Sequence, residues 1–315
     1  MAKTLELPSS YASLPYQHIR ISHHPASKPA PTSVVVLTLY RPENHNAFTA
    51  LMAQEIEEAF TLFSADDRVK CIVLTGHGNM FCAGADLQDE LKSGDGGSSM
   101  SQDTGGRVTL AIHRCRKPTI AAVNGSAVGV GVTMQLPCAI RIACSQAKIG
   151  VVFARRGLVM EAASSFFLPR LIGFSRALHL TTTGATYRAD SKLLDGLYSE
   201  VLETPEVVIR RALEIAEEVA SQTSVVSTYL MREMMWRNPG SAEGAHLLDS
   251  RIIYDLFGSA DKKEGVEAFV DKRAVDFTGT MAENAPSYYP WWDPVDIGGT
   301  PVPVVALPAK KASKL

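Results

Sequence analysis

The chain has 315 residues, 46% hydrophobic and 20% charged, enough for a core that needs neither disulfides nor a structural metal. A formal net charge of −2, with no long basic run before the tail, argues against nucleic acid as the main partner. Five cysteines, Cys71, Cys82, Cys115, Cys138 and Cys144, form no CxxC pair. They read as buried thiols of a reducing compartment, so neither a metal nor a redox centre is expected.

Residues 1–15 read as irregular and lack an apolar stretch of signal-peptide length. Tyr16–His24 alternates apolar and polar, which predicts a strand with His23 and His24 solvated on an edge; no metal site is expected there. Ser33–Arg41 is β-branched and predicts the next strand, and the Pro-rich stretch between the two is an edge loop. A helix is predicted after Thr49, a plausible N-cap, and a buried strand over Val69–Gly76. Asp86 is placed as the cap of a following helix, Gly94–Gly106 as a flexible surface loop by composition, and Arg107–Arg114 as a helix. A buried strand over Pro118–Gly125, a short buried helix over Gly131–Ala139 and a strand over Ala139–Ser145 follow. Thr119–Ile140 is uncharged, but Asn124, Gly125, Gln135 and Pro137 break it, so no membrane span is predicted.

Beyond residue 155 helical spacing dominates. Pro205–Gln222 is the clearest amphipathic helix, with proline at its start, and Ala242–Ser259 and Lys262–Phe277 follow. The aromatic run Tyr288–Pro294 is expected to pack the tail against the body. The order of elements predicts an α/β core of repeated strand–strand–helix turns, then a helical cap or oligomerisation layer.

Three stretches carry chemistry. In "GNMFCAGADL" (Gly78–Leu87) a strand ends in a small-residue turn that opens a helix, and "AAVNGSAVGVGVTM" (Ala121–Met134) repeats that design. Such turns leave backbone N–H groups unsatisfied, and two converging on one point make an oxyanion hole. The third stretch is "GLVMEAASS", where Glu161 is the only charged residue between Arg156 and Arg170. Burying a carboxylate among apolar neighbours raises its pKa and suits it to proton transfer.

Together with "RPENHNAFT" (Arg41–Thr49), "KPTIAAVNGSAVGVGV" and "KKEGVEAFVDKR", these stretches resemble the crotonase superfamily of enoyl-CoA hydratases and isomerases over about residues 16–277. The resemblance implies an α/β fold: a spiral of ββα units with a C-terminal helical trimerisation region. It divides the chain into an irregular segment 1–15, a spiral core 16–205, a helical region 206–280 and an extended tail 281–315. It implies an acyl-CoA substrate, no separate cofactor, and a homotrimer or hexamer. The oxyanion donors fall on the N–H groups of Ala85 and Val130. Ala83 and Lys272 would meet CoA, and Phe153, Met160 and Thr133 would line the substrate pocket.

Family hydratases carry two glutamates, at the places held here by Thr133 and Phe153. Glu161 instead matches the single carboxylate of the peroxisomal Δ3,Δ2-enoyl-CoA isomerase branch, although Ala162 and Ala163 replace the usual glycines. The resemblance therefore favours an isomerase: Glu161 takes a proton from C2 of a 3-enoyl-CoA and returns it to C4, giving the 2-trans isomer. The alternative is hydratase-like activity on a specialised acyl-CoA, or another thioester reaction of the family. The final Ser313-Lys314-Leu315 reads as a signal for the peroxisomal import receptor, which predicts a peroxisomal location.

Overall fold

The computed structural model describes residues 5–86 and 103–297. The helix expected after Asp86, positions 94–102 of the expected loop, and the terminal Ser313-Lys314-Leu315 lie outside the described residues.

In chain order the elements are β1 (Ile19–His24), β2 (Val34–Leu39), α1 (Ala50–Ala65), β3 (Cys71–Gly76) and β4 (Met80–Cys82), then α2 (Thr104–Arg114). Next come β5 (Thr119–Val123), β6 (Ser126–Val128), the short α3 (Val130–Thr133), β7 (Ile140–Cys144) and β8 (Lys148–Gly150). The chain continues through α4 (Ser164–Thr183), β9 (Thr186–Arg188), β10 (Glu200–Leu202), α5 (Pro205–Gln222) and α6 (Val225–Trp236). It closes with α7 (Ala242–Phe257), α8 (Ala260–Asp271) and the single turn α9 (Met281–Asn284). Backbone contacts divide the chain into two compact units, Pro8–Val219 and Ala220–Leu315 with Met1–Leu7.

In the first unit one sheet has the order β1-β2-β3-β5-β7-β10. Only the β1–β2 pair is antiparallel; the pairs from β2 onward are parallel. Every residue of β3 and β5 is buried, which is why both read as continuous apolar runs rather than alternating ones. A second sheet, β4-β6-β8-β9, is parallel across its first three strands and carries the turns of the site. Thr49 caps α1 by accepting from the Met52 N–H, and α1 buries Met52, Ile56, Phe60 and Phe63 on one face.

Two expectations are corrected. His23 is buried, not solvated: its Nε2 accepts from the Tyr11 N–H at 3.1 Å, so its Nδ1–H donates to the Lys28 carbonyl at 3.0 Å. The cover comes from the segment expected to be irregular, where Tyr11 is itself buried against Phe63. The last residues of the glycine-rich stretch, Thr104–Gly106, form the first turn of α2 rather than a loop, because Asp103 caps that helix by accepting from the Gly106 N–H.

In the second unit α6, α7 and α9 share a core of Val226, Tyr229, Leu230, Leu248, Ile252 and Met281. Tyr288, Tyr289 and Trp291 pack onto it, and the Tyr229 and Tyr289 hydroxyls meet at 2.6 Å, so the aromatic run packs the tail as expected. Lys272 ends α8 in a left-handed conformation with an exposed side chain. The five cysteines are all buried, and burial pushes the Cys71 and Cys82 thiols up to about 12, away from thiolate chemistry near neutral pH. Among the described residues, no helix is long and apolar enough to cross a membrane.

Candidate active site

The two expected N–H donors lie on neighbouring turns. β4 and β6 run parallel, with Cys82 opposite Ala127, and each strand leads directly into its turn. Ala85 pairs with Phe48 in an isolated parallel bridge. The Phe48 N–H donates to the Gly84 carbonyl and the Asp86 N–H to the Phe48 carbonyl, both at 2.8 Å, so the Ala85 N–H faces the other way. Val130 is the first residue of α3, where a backbone N–H has no intrahelical acceptor. Gly129 before it has φ 54° and ψ −123°, a conformation that a side chain would obstruct. The turns touch: a Cβ on Gly129 would lie 3.9 Å from the Gly84 Cα. Among the described residues, neither the Ala85 nor the Val130 N–H meets a backbone acceptor.

Arg41 braces the first turn. Its Nη1 donates to the Asp86 carboxylate at 2.8 Å and to the Ala47 carbonyl at 2.7 Å. Asp86 is thereby tied to the stretch that carries Phe48. Ala83 is anchored by its own N–H, which donates to the His45 carbonyl at 3.2 Å.

Glu161 is delivered by an unusual turn. Ala162 and Ala163 both adopt positive φ, 57° and 52°, a left-handed conformation that costs an alanine roughly 1–2 kcal/mol. The turn is held by Ser164, whose N–H and hydroxyl both donate to the Glu161 carbonyl, at 3.0 and 2.5 Å. The carboxyl then reaches Thr133, whose hydroxyl donates to Oε1 at 2.5 Å. Thr133 is fully buried on α3, the helix that Val130 begins. Phe153 stands across the turn, its Cζ 3.9 Å from where a Gly129 Cβ would be. Met160 and Phe153 are both half-buried. Glu161, Thr133, Val130 and Phe153 therefore gather on one spot, whereas Lys272 belongs to the other compact unit.

Two residues that sequence reasoning missed complete the surround. Gly105, in the first turn of α2, lies against Glu161: a Cβ there would overlap Oε2 and come within 3.2 Å of the Val130 side chain. Asp103, the cap of the same helix, is hydrogen-bonded to the Glu161 carboxyl. The only sequence signal for either was a glycine pair following an Asp-Thr in a segment whose composition suggested a loop.

Burial pushes the Glu161 carboxyl up to about 8; the Thr133 hydroxyl opposes the shift, and Asp103, by hydrogen bond and by like charge, reinforces it. The arrangement thus holds a carboxyl, its pKa raised by burial, near the Val130 start of α3, with the Ala85 turn alongside Gly129. Among the described residues, no group of three or more His, Cys, Asp or Glu is placed to hold a metal ion.

Gly105→Ala is expected to lower kcat about 10²-fold by displacing the carboxyl, since a misplacement near 1 Å has an effect of that size. Alanine favours a helix over glycine, so α2 itself is not weakened. Steady-state kinetics beside circular dichroism checks this; unchanged kcat would mean that the carboxyl's position is immaterial.

Comparisons with known proteins bear on the family and the fold. The family described as enoyl-CoA hydratase/isomerase matches residues 30–280. An enoyl-CoA hydratase of Alternaria alternata is 46% identical over 276 residues, covering 88% of this chain and 92% of the relative. The 1,2-epoxyphenylacetyl-CoA isomerase of Escherichia coli is 34% identical, covering 78% of this chain and 95% of that protein. The crystal structure of a probable enoyl-CoA hydratase/isomerase from Mycobacterium abscessus matches with a TM-score of 0.73 and 31% identity, over 79% of this chain and 96% of that one. The strand–turn–helix passage from β6 into α3, the sheet order and these likenesses lead to one assignment: the chain belongs to the enoyl-CoA hydratase/isomerase family and has its α/β crotonase fold.

Proposed function

We propose that the protein adds water reversibly across the 2,3 double bond of an enoyl-CoA thioester. Water attacks C3, charge moves onto the thioester oxygen, the N–H groups of Ala85 and Val130 hold that enolate, and Glu161 delivers a proton to C2. The observation that carries this reading is the buried carboxyl: burial pushes Glu161 up to about 8, which suits it to donate a proton near neutral pH. Relatives at 46% identity named as enoyl-CoA hydratases support the same reaction class. Phe153 and Met160, half-buried beside the carboxyl, are proposed to meet the acyl chain.

A second reading is migration of a 3-enoyl double bond to the 2-trans position. It is favoured by Thr133 and Phe153 standing where family hydratases carry glutamates, which leaves Glu161 as the matching carboxylate. The two readings differ in sign with pH. An isomerase must first remove a proton, so its rate rises as Glu161 ionises through about pH 8; a hydratase that donates from Glu161 slows over the same range. Rates of hydration of crotonyl-CoA and of isomerisation of a 3-enoyl-CoA, recorded across that range, test the proposal. Hydration that declines above about pH 8 is expected. Isomerisation alone, increasing with pH, would replace hydration as the function.

A further inference from the structure

Water that attacks C3 must lose a proton, and Glu161, which gives its own proton to C2 in the same step, cannot take it. The neighbouring helix supplies a second carboxyl. Asp103 is exposed, and its Oδ1 accepts from the Gly106 N–H, which leaves Oδ2 for another partner. Glu161 Oε2 lies over the first turn of the same helix, against Gly105. Thr133 donates to Oε1, so the Glu161 proton belongs on Oε2, the oxygen that faces α2. Negative charge at a helix N-terminus is favoured, which places the anion of the pair on the capping Asp103 and the proton on the buried Glu161. The nearby cation of α2, Arg107, is engaged by Glu57 at 2.8 Å.

We propose that Asp103 and Glu161 work as a carboxylate–carboxyl pair sharing one proton, with Asp103 the base that activates water and Glu161 the acid that protonates C2. The inference rests on the hydratase reading. In the step, the water oxygen bonds to C3 as its proton passes to Asp103. The C2–C3 π pair moves toward the thioester, and C2 takes the proton of Glu161. The proton on Asp103 then crosses to Glu161, and the pair is restored with no co-reactant consumed. A carboxyl supplied from α2 stands in for the acids that Thr133 and Phe153 do not provide.

Asp103→Asn and Asp103→Ser test this, because both residues still cap a helix and neither accepts a proton. Two rates are measured on the full chain: hydration of crotonyl-CoA and longer 2-enoyl-CoA thioesters, and exchange of the C2 protons of butyryl-CoA in deuterated water. Exchange needs Glu161 and the oxyanion donors but no activated water. Compared across pH, hydration is expected to fall about 10²-fold or more at every pH in both variants, while exchange is not slowed, because losing the Asp103 charge makes Glu161 easier to ionise. Asp103→Glu is expected to restore part of the hydration. Hydration unchanged in Asp103→Asn would remove Asp103 from the chemistry. Equal loss of hydration and exchange would reduce it to a residue that positions Glu161, and would overturn the pair. A wild-type protein that exchanges C2 protons yet hydrates none of these thioesters would defeat the hydratase reading and the inference with it.

Discussion

Glu161→Gln is expected to lower kcat for water addition about 10³-fold with little change in KM, the size of effect that a positioned acid–base group supplies. Glutamine is the neutral isostere of a protonated glutamate. Its carbonyl can accept from Thr133 as Oε1 does, and its amide can donate toward Asp103 as the carboxyl proton does. Substrate binding and the turn at Ala162–Ala163 should therefore survive, and only the transferable proton is lost. Full activity in Glu161→Gln would remove the central residue of the proposal.

The same substitution should raise stability, with a definite pH dependence. A carboxyl whose folded pKa is raised keeps its proton in the native state after the unfolded chain has lost it. Native protein then binds more protons than unfolded protein between about 4.5 and about 8, so stability falls as pH rises through that interval and levels off above it. Glutamine does not titrate and escapes the loss. At pH 9 the variant is expected to be more stable by on the order of 2–4 kcal/mol, and at pH 4 the two proteins should be nearly equal. Thermal melts at the two pH values check this. The two alanines in left-handed conformation beside Glu161 point the same way: the fold gives up stability around this carboxyl.

What could be read from the chain, and what could not, follows from where the information resides. β3 and β5 were legible because a strand buried on both faces must be apolar throughout. Glu161 was legible because one charge among apolar neighbours is conspicuous within a few residues of sequence. The Ala85 and Val130 turns were legible as small-residue breaks after β4 and β6. The three-residue strands β4, β6, β8, β9 and β10 were not, since three residues show no periodicity, and their pairing comes entirely from the rest of the sheet. Gly105 looked like loop material until its reason appeared, a carboxylate oxygen occupying the space of a side chain. Asp103 and Thr133 acquire meaning only through Glu161, which reaches them across folded chain and not along it. Composition likewise gave no sign that Tyr11 would cover His23, because that contact is tertiary.

Removing one oxyanion donor is expected to cost about 10²–10³ in kcat, and this protein permits the experiment on a backbone group. Val130 is the first residue of α3, the helical position proline tolerates best, since its N–H has no partner within the helix. Proline restricts the residue before it, but here that residue is glycine at φ 54°, ψ −123°, the mirror image of the extended conformation that ordinary residues adopt before proline. Val130→Pro therefore deletes the proposed donor while disturbing little else of the backbone; Val130→Ala controls for the lost side chain. The proline variant should lose kcat and kcat/KM together, because the donor acts on charge that develops only as the enolate forms. It should also slow C2 proton exchange in butyryl-CoA by a similar factor, since exchange passes through the same enolate. Loss in the alanine control equal to that in the proline variant would assign the effect to packing of the valine side chain, and the thioester oxygen would have to be held elsewhere.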